Sequence, residues 1–216
     1  MESDPDTVPR WRADHERRRP LTKGERTRER LLRAAIARFG SGGFRATSVS
    51  QLSRDAGLTP AAAYAYFPDK ETFWQAAVQA DLDVLFQKVV AAAAHADRPI
   101  VIAMLALIEH LDEHPLVRRV MVEGSPEDLQ LVQGHVVFAG MSRKAVQTLT
   151  HRQEAGVLSK AVSAEQLGLG FETVIFALVL SVVRAGLDRS PERVDAVVAL
   201  LVQALGGPPT MVERQG

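Results

Sequence analysis

The segment that constrains this chain most runs from Thr47 to Phe67 and reads TSVSQLSRDAGLTPAAAYAYF. It predicts two short helices joined by a tight turn at Gly57, where a left-handed backbone costs little because glycine has no Cβ atom. Thr59 then offers an N-cap hydroxyl, and Pro60 suits the first helical position, where no amide donor is required. The segment therefore predicts a helix-turn-helix, whose second helix is suited to a DNA major groove.

The residues on either side complete a three-helix unit. Upstream, a helix is predicted over residues 22–40, ending at the glycine-rich stretch 40–43. Apolar residues recur at helical spacing along one of its faces: Leu32, Ala35, Ile36 and Phe39. Downstream, Pro68 halts the second helix of the motif, and Asp69 can cap the next helix. The motif itself is predicted as helices over residues 48–55 and 60–66.

This region resembles the tetracycline-repressor (TetR) family of transcriptional regulators, and the resemblance covers roughly residues 24–84 without a gap. The residues that carry it are Ala35, Phe39, Gly43, Thr47, Val49, Leu52, Ala56, Gly57, Thr59, Tyr64, Tyr66, Phe67, Lys70, Glu71 and Phe73. A helix-turn-helix alone is common by chance, whereas this ordered set is specific. The resemblance implies a DNA-binding regulator, with repression rather than activation as the family-level expectation.

The distribution of charge agrees with DNA binding. The 216 residues have a net charge of zero, but 14 Lys and Arg stand against 7 Asp and Glu between Arg10 and Gln75. Residues 76–216 carry 12 basic against 16 acidic residues, and residues 1–9 carry three acids. The basic half is the half with the helix-turn-helix, which is the electrostatic footprint of a DNA-binding module. The alternative is a basic face that is merely solvated.

The remainder of the chain predicts helices only, because no stretch shows sustained strand alternation. They are expected over about 70–94, 98–113, 116–123, 126–154, 166–186 and 191–205, with Ser125, Pro126 and Asp128 marking the start of the fourth. The result is an all-α fold of about nine helices, in which a three-helix DNA-binding domain precedes a larger helical domain for ligand binding and dimerisation. The predicted divisions are a disordered basic arm (1–20), the DNA-binding domain (21–75), the effector-binding and dimerisation domain (76–207) and a tail (208–216).

The last two helices indicate self-association. The first of them follows a capping box at Ser163 and Gln166 and is apolar on almost every side, so burial on more than one side is expected. In the TetR family the two C-terminal helices form a four-helix bundle across a two-fold axis. The resemblance therefore implies a homodimer through the helices at about 166–187 and 191–205. The alternative is burial inside a monomer. The longest uncharged apolar run, Thr173 to Val183, is too short to span a bilayer, so no membrane is expected.

The resemblance also assigns contacts with the DNA backbone. Carried over position by position, these phosphate contacts fall on Thr47, Tyr64, Tyr66 and Lys70. Tyr64 has a competing role, because its ring can instead belong to the core of the small domain. Phe67 and Phe73 are assigned to packing. The cluster Arg17–Arg19 is either an arm that reaches the DNA or a solubilising tail.

Base recognition is unusual, since Pro60 and Ala61 stand where the family often has a Lys or Arg and a Gly. Alanines can only touch thymine methyl groups or permit close approach. Polar contacts with bases are therefore expected from Ser48, Gln51, Arg54 and Thr59. For Arg54 the alternative is a surface ion pair with a nearby acid. Two copies on a two-fold axis would read a palindrome in double-stranded DNA, with recognition helices about 34–36 Å apart.

The resemblance further implies a small-molecule effector that enters the C-terminal domain and changes the spacing of the two DNA-binding heads. Such coupling requires the effector to bind one head spacing more tightly than the other. Polar residues within apolar helices are candidates to line its pocket, chiefly Glu172, His135 and Arg184. Glu172 and Arg184 have the alternative of pairing across the dimer. The chemistry of the effector is not predicted by the sequence.

Other classes of function find less support. The sequence has no phosphate loop, HExxH or nucleophile elbow, so an enzyme is not predicted, and neither a cofactor nor a metal is expected. The run EHLDEH invites a metal site at His110 and His114, but the family resemblance and the helix end argue against it. The lack of Cys fits the cytoplasm. The remaining alternative is a structural DNA-binding protein without an effector response.

Overall fold

The computed structural model describes residues 20–185 and 191–205, and these residues form helices without β-strands. The all-α prediction is confirmed. The α-helices are α1 (Lys23–Ala46), α2 (Val49–Asp55), α3 (Pro60–Tyr64), α4 (Lys70–Ala93), α5 (Pro99–His110), α6 (Pro115–Glu123), α7 (Pro126–Gln133), α8 (Val136–Glu154), α9 (Ala164–Ala185) and α10 (Pro191–Leu205). A 3₁₀ turn, Leu111–Glu113, joins α5 to α6. The predicted basic arm, apart from Pro20, and the predicted tail lie outside the described residues.

Helix α1 begins with a capping box and bends near its end. The Thr22 hydroxyl accepts the N–H of Glu25 (3.2 Å), and the Glu25 carboxylate accepts the N–H of Thr22 (2.7 Å). The sequence predicted that the helix ends at the glycine-rich stretch 40–43. Within α1, Gly43 alone leaves the helical region, with φ 76° and ψ 173°, so the regular helix stops there and a short segment continues beyond the kink to Ala46. The predicted end in the glycine-rich stretch is therefore confirmed.

The position of α6 explains why Gly40 does not end the helix. A Cβ atom added to Gly40 would lie 3.0 Å from Pro115 Cβ and 3.1 Å from the main-chain nitrogen of Leu116. Both contacts are closer than packed side chains normally allow. Gly40 therefore marks a close approach of α1 to the start of α6, which the local sequence pattern does not distinguish from a helix stop.

Aromatic side chains pack α1 against α4. The rings of Phe39 and Trp74 meet edge to face with centroids 5.1 Å apart, and the Phe44 ring lies 5.6 Å from that of Trp74. Phe67 and Phe73 stack nearly parallel at 4.1 Å, and both are almost fully buried. Their predicted packing role is confirmed. These contacts fix the first three helices on the beginning of α4.

Helix α4 crosses the boundary predicted between residues 75 and 76 without a break. Buried apolar residues from α1 through α10 belong to one contiguous cluster. The indole N–H of Trp74 also donates to Asp128 Oδ1 at 2.6 Å, which ties α4 to the first turn of α7. The small N-terminal unit is thus packed on the larger helical unit, and the exact boundary between them stays a prediction.

The helix predicted over residues 126–154 starts where the sequence indicates, at Pro126, but is two helices, α7 and α8, that meet at Gly134 and His135. His135 is 3% exposed, and its ring stacks on Phe86 with centroids 4.5 Å apart. Its Nδ1 accepts the N–H of Val137 (3.3 Å), which leaves Nε2 to donate to Asp83 Oδ1 (3.0 Å). The prediction of one helix was wrong because these contacts hold the backbone of His135 at ψ 136°, outside the helical region.

The end of α8 and the start of α9 agree with the sequence, whereas the end predicted for α9 at Gly186 lies outside the described residues. Gly156, with φ 72°, follows α8, and Ser163 and Gln166 form the capping box of α9 with two hydrogen bonds of 3.2 Å. The segment Ala164–Arg184 is long and apolar enough, by length and composition alone, to cross a membrane, and 33% of its most apolar stretch is buried. Core helices of globular proteins pass the same test, so this is weak evidence for a membrane.

Gly43 is expected to be costly to replace. Gly43→Ala should lower the free energy of unfolding by about 1–2 kcal/mol, because an L-residue is strained at positive φ. Its Cβ atom would also lie 3.2 Å from Arg119 Nη1. Gly42→Ala is the matched control, since its Cβ atom meets nothing closer than 3.7 Å. Denaturant unfolding of both variants measures the difference, and equal stabilities would contradict the strain at Gly43.

Candidate nucleic-acid interface and effector cavities

The turn between α2 and α3 is a Schellman motif. Gly57 has φ 64°, its N–H donates to the carbonyl of Arg54 (2.9 Å), and the N–H of Leu58 donates to the carbonyl of Ser53 (2.8 Å). These two bonds satisfy carbonyls that the end of a helix otherwise leaves unpaired. The left-handed turn predicted at Gly57 is therefore confirmed.

Helix α3 is short, and its cap fixes its start. It begins at Pro60, and Thr59 Oγ1 accepts a main-chain N–H of the first turn at 3.2 Å. Ala63 is fully buried, whereas Ala61 and Tyr64 are exposed. The helix therefore rests on the core by its third alanine and presents the opposite face to the outside.

The four residues predicted to contact phosphates differ in exposure. Tyr64 is 50% exposed, which excludes the competing role in the core. Tyr66 packs partly against the core, and Lys70 Nζ lies 4.2 Å from the centroid of the Phe44 ring. Thr47 is 3% exposed, and its hydroxyl donates to the carbonyl of Gly43 at 2.9 Å. Tyr64 is the most accessible of the four, while the contacts of Thr47 give it a structural task at the kink of α1.

Two residues predicted to read bases start α2. The N–H of Ser48 donates to Gln51 Oε1 (2.9 Å), and the N–H of Gln51 donates to Ser48 Oγ (3.3 Å). This reciprocal capping box satisfies donors at the helix start. Gln51 is half-buried and Ser48 is exposed. Both side chains are thus committed to the geometry of α2 in the absence of DNA.

Arg54 is placed differently from the capping pair. Its side chain is exposed, and within residues 20–185 and 191–205 it has no hydrogen bond or ion pair. The acid beside it, Asp55, instead accepts from Arg38 Nε (2.5 Å) and Nη2 (3.1 Å). The hydrogen bond from Arg38 lowers the pKa of the Asp55 carboxyl group. Arg54 therefore keeps a charged side chain available at the end of α2.

Basic residues on α1 have structural partners that sequence reasoning missed. Arg30 donates to the carbonyl of Ala56 beside the turn, and the Arg28 guanidinium lies 5.4 Å from the centroid of the Phe67 ring. Together with Arg38, they hold α1 against the helix-turn-helix. In the sequence they are part of a basic face, because no local pattern identifies partners about 26 residues further along the chain.

Comparison with known families identifies this region. Residues 31–77 match the family model described as bacterial regulatory proteins, tetR family. Residues 31–77 therefore carry a DNA-binding domain of the TetR type, and this match indicates DNA binding and transcription regulation as the class of function. No curated protein matches the chain.

Solved structures share the TetR fold over most of the chain. The fatty acid degradation regulator FadR from Bacillus halodurans is 17% identical with a TM-score of 0.62, covering 88% of this chain and 98% of its own. FadR from Bacillus subtilis in complex with stearoyl-CoA is 16% identical with a TM-score of 0.59, covering 81% and 97%. AibR in complex with isovaleryl coenzyme A and operator DNA is 14% identical with a TM-score of 0.58, covering 82% and 99%. At these identities the similarity concerns the fold.

The three residues predicted for the effector pocket are not brought together. Glu172 lines a cavity of about 30 Å³ between α8 and α9 and accepts a hydrogen bond from the Ser142 hydroxyl at 2.8 Å. His135 is buried with both ring nitrogens bonded, as described above. Arg184 is exposed and donates to the carbonyl of Val122 at 3.3 Å, at the end of α6. Of the three, Glu172 keeps a position suited to an effector site.

The EHLDEH run does not form a metal site. His110 Nδ1 lies 2.9 Å from Glu113 Oε1, while His114 Nδ1 lies 2.8 Å from Asp81 Oδ1 on α4. Glu113 also pairs with Lys88 (2.6 Å), and hydrogen bonds from Lys88 and His110 lower the pKa of its carboxyl group to about 2. Among the described residues, no group of three or more His, Asp or Glu is placed to hold a metal ion.

A buried carboxylate from α4 holds the start of α6. Asp81 is 4% exposed, its Oδ2 accepts the N–H of Val117 (3.1 Å), and its Oδ1 faces His114 Nδ1 (2.8 Å). The side chain of His114, the N-cap residue of α6, makes no capping hydrogen bond. Asp81 therefore supplies from another helix the acceptor that the N-terminus of α6 requires.

Arg119 joins the middle of α6 to the kinked end of α1. Its Nε donates to the carbonyl of Gly40 (2.8 Å), and its Nη2 donates to the carbonyl of Ser41 (2.9 Å). Its Nη1 pairs with Glu123 at 2.5 Å. Because the end of α1 leads directly into α2, this contact connects α6 to the helix-turn-helix.

We expect Arg54 and Lys70 to contribute differently to DNA binding. Arg54→Ala should cost about 1–3 kcal/mol on the preferred sequence and little on random DNA, because a base contact is lost. Lys70→Ala should weaken both about equally, because a phosphate contact carries no sequence information. Fluorescence anisotropy on both DNAs measures these losses. Arg118→Ala, which removes the same charge from α6, is the control, and equal losses for Arg54→Ala on both DNAs would refute its role in base reading.

Proposed function

We propose that this TetR-family chain is a sequence-specific repressor that occupies a palindromic operator as a homodimer and is released by a small-molecule effector. The observation that carries the proposal is the helix-turn-helix, in which α3 is capped at Thr59, anchored by Ala63 and exposed at Tyr64. A rigidly presented short helix is suited to the major groove, and Arg54 adds a charged side chain beside it. Repression requires only that the protein occupies a promoter.

The homodimer is supported by apolar side chains on the last two helices. Leu169 and Val174 on α9 are 65% and 41% exposed, and Leu200 on α10 is 61% exposed. Large apolar side chains that are exposed on neighbouring helices favour a protein interface. A second copy related by a two-fold axis would cover them in a four-helix bundle and would place two recognition helices on one face. The low burial of α9 in one chain agrees with this arrangement.

An effector-responsive regulator agrees with the interior of the helical domain. Cavities lie between its helices, and the contact between Arg119 and α1 connects α6 to the DNA-binding helices. The structure of AibR holds both isovaleryl coenzyme A and operator DNA, which makes the same pairing of ligand and DNA a reasonable proposal here. We place the protein in the cytoplasm, where its DNA target lies, and assign it no enzymatic activity.

The proposal is tested by selecting bound sequences from a random DNA pool with the purified protein at near-physiological salt. We expect an enriched palindrome with half-sites about one helical turn apart or a multiple of it. Binding without enrichment would contradict a sequence-specific regulator and favour a structural DNA-binding protein. The absence of any binding would refute DNA recognition by the unliganded chain.

The dimer interface has a separate test. Leu169→Glu should shift the protein from dimer to monomer in sedimentation analysis and weaken binding to a palindrome at least tenfold, because a charge would be buried at the interface. Val157→Glu is the control, since Val157 is 64% exposed but lies in the segment between α8 and α9. A dimer that withstands Leu169→Glu would contradict the proposed interface.

Loss of the contact between α6 and α1 should make the end of α1 and the helix-turn-helix more flexible. Arg119→Met keeps the aliphatic stem but removes two donors to the carbonyls of α1, which should lower stability by about 1–3 kcal/mol. Amide hydrogen exchange should become faster over residues 40–55. Glu123→Gln removes only the exposed partner of Arg119 and should cost less than about 1 kcal/mol. Unchanged exchange in Arg119→Met would refute the mechanical connection.

A further inference from the structure

Three cavities in the described part of the chain form a row through the helical domain. An outer cleft of about 160 Å³ shares Ile100 and Leu201 with a middle cavity of about 30 Å³. The middle cavity shares Phe138 with a deep cavity of about 20 Å³. Protein interiors are close-packed and contain few voids. Consecutive voids that share lining side chains therefore mark a path that a ligand can open by displacing those side chains.

The chemistry changes along this row from charged to apolar. The outer cleft is lined by two cations, Arg98 and Lys144, and by one carboxylate, Asp97. In the middle cavity the polar lining groups are Ser142 and Glu172, which hydrogen bond to each other at 2.8 Å. Every residue that lines the deep cavity is Leu, Val, Phe or Met. A ligand that fills the row must be charged at one end and apolar at the other.

We infer that the effector is an elongated amphipathic anion, an unbranched acyl chain whose anionic head lies at Lys144 and Arg98. This inference rests on the proposed function and names the ligand class of its effector site. A flexible chain fits because the inner cavities, of about 30 and 20 Å³, hold little more than one small group each. Rotation of Phe138 between them connects the two voids, whereas a rigid ring system would have to displace several packed side chains.

The far end of the row reaches the helix that contacts the DNA-binding unit. Val117 and Met121 line the deep cavity, and both lie on α6, two positions before and after Arg119. A chain that passes Phe138 therefore presses on α6 and alters the contact of Arg119 with Gly40. A shorter chain binds in the outer parts of the row without reaching α6. Binding of an acyl chain to the protein and release of the DNA by that chain thus require different chain lengths.

The first test measures binding to the purified full-length protein by calorimetry. The probes are saturated carboxylates of increasing length, their coenzyme A thioesters and alkyltrimethylammonium ions of the same lengths. We expect Kd to fall about fourfold per added methylene until the row is full, and anions to bind more tightly than cations. Tighter binding of the free acids assigns the head site to a carboxylate, and tighter binding of the thioesters assigns it to phosphates. Equal binding of anions and cations would overturn the inference.

Two pairs of variants separate this site from unspecific binding of amphiphiles. Lys144→Glu should weaken binding of the anions about tenfold, while the same reversal at the exposed Lys160, outside the cleft, should leave it unchanged. Val179→Ile adds a methyl group to the deep cavity and should shorten the preferred chain by about one methylene. Val183→Ile makes the same change one turn later on α9, outside the cavity lining. Identical length profiles for the two isoleucine variants would refute the path.

Operator binding is measured on the same samples, with the sequence obtained by selection. Release of the operator is expected only with chains long enough to pass Phe138. If the protein binds its operator but no probe binds, the inferred class of ligand is wrong and the proposed function as a DNA-binding regulator is retained. If the unliganded protein binds no DNA while acyl chains bind with the expected dependence on length, the proposed function is refuted and the inferred ligand site is supported.

Discussion

The position of α6 depends on the buried carboxylate of Asp81. With nine residues, α6 is too short to be stable by itself, so partners outside it must set its place. Asp81 accepts the N–H of Val117 at its start, and Arg119 donates to α1 from its middle. Arg184 donates to the carbonyl of Val122 at its end. The short helix α6 thus makes polar contacts with α4, α1 and α9. A displacement of α6 would disturb its contacts with each of these three helices.

Stability alone does not explain the polar groups at this junction. A buried carboxylate is costly to desolvate, and in Asp81 two hydrogen-bond partners offset that cost. One of them, His114, keeps its Nε2 buried without a partner among the residues that the structure describes. An apolar side chain at position 81 would avoid the cost of desolvating a carboxylate, but it would leave the start of α6 uncapped and would remove the partner of His114 Nδ1. The junction therefore fixes the direction of α6 through directional bonds, where apolar packing alone would tolerate sliding.

The sequence predicted the parts of the fold that depend on neighbours within one turn. Gly57, the cap at Thr59 and the capping box at Ser163 each leave a complete local signal, and the structure has all three. The helix break at His135 depends on stacking with Phe86, some fifty residues away, and leaves no such signal. The same limit applies to the candidate site, because the task of Arg119 depends on carbonyl groups of α1.

The composition of α3 limits how this protein can recognise a DNA sequence. Ala63 is buried, so the outward face of the helix consists of small side chains with Tyr64 at its edge. Small side chains bring the helix backbone close to the base edges but supply no polar pairing. We therefore propose that Arg54 at the end of α2 supplies side-chain contacts with bases, and that the shape and deformability of the operator select among sequences that α3 does not distinguish. A protein built this way should discriminate fewer positions by direct contact and more by how easily the DNA adapts to two heads at a fixed spacing.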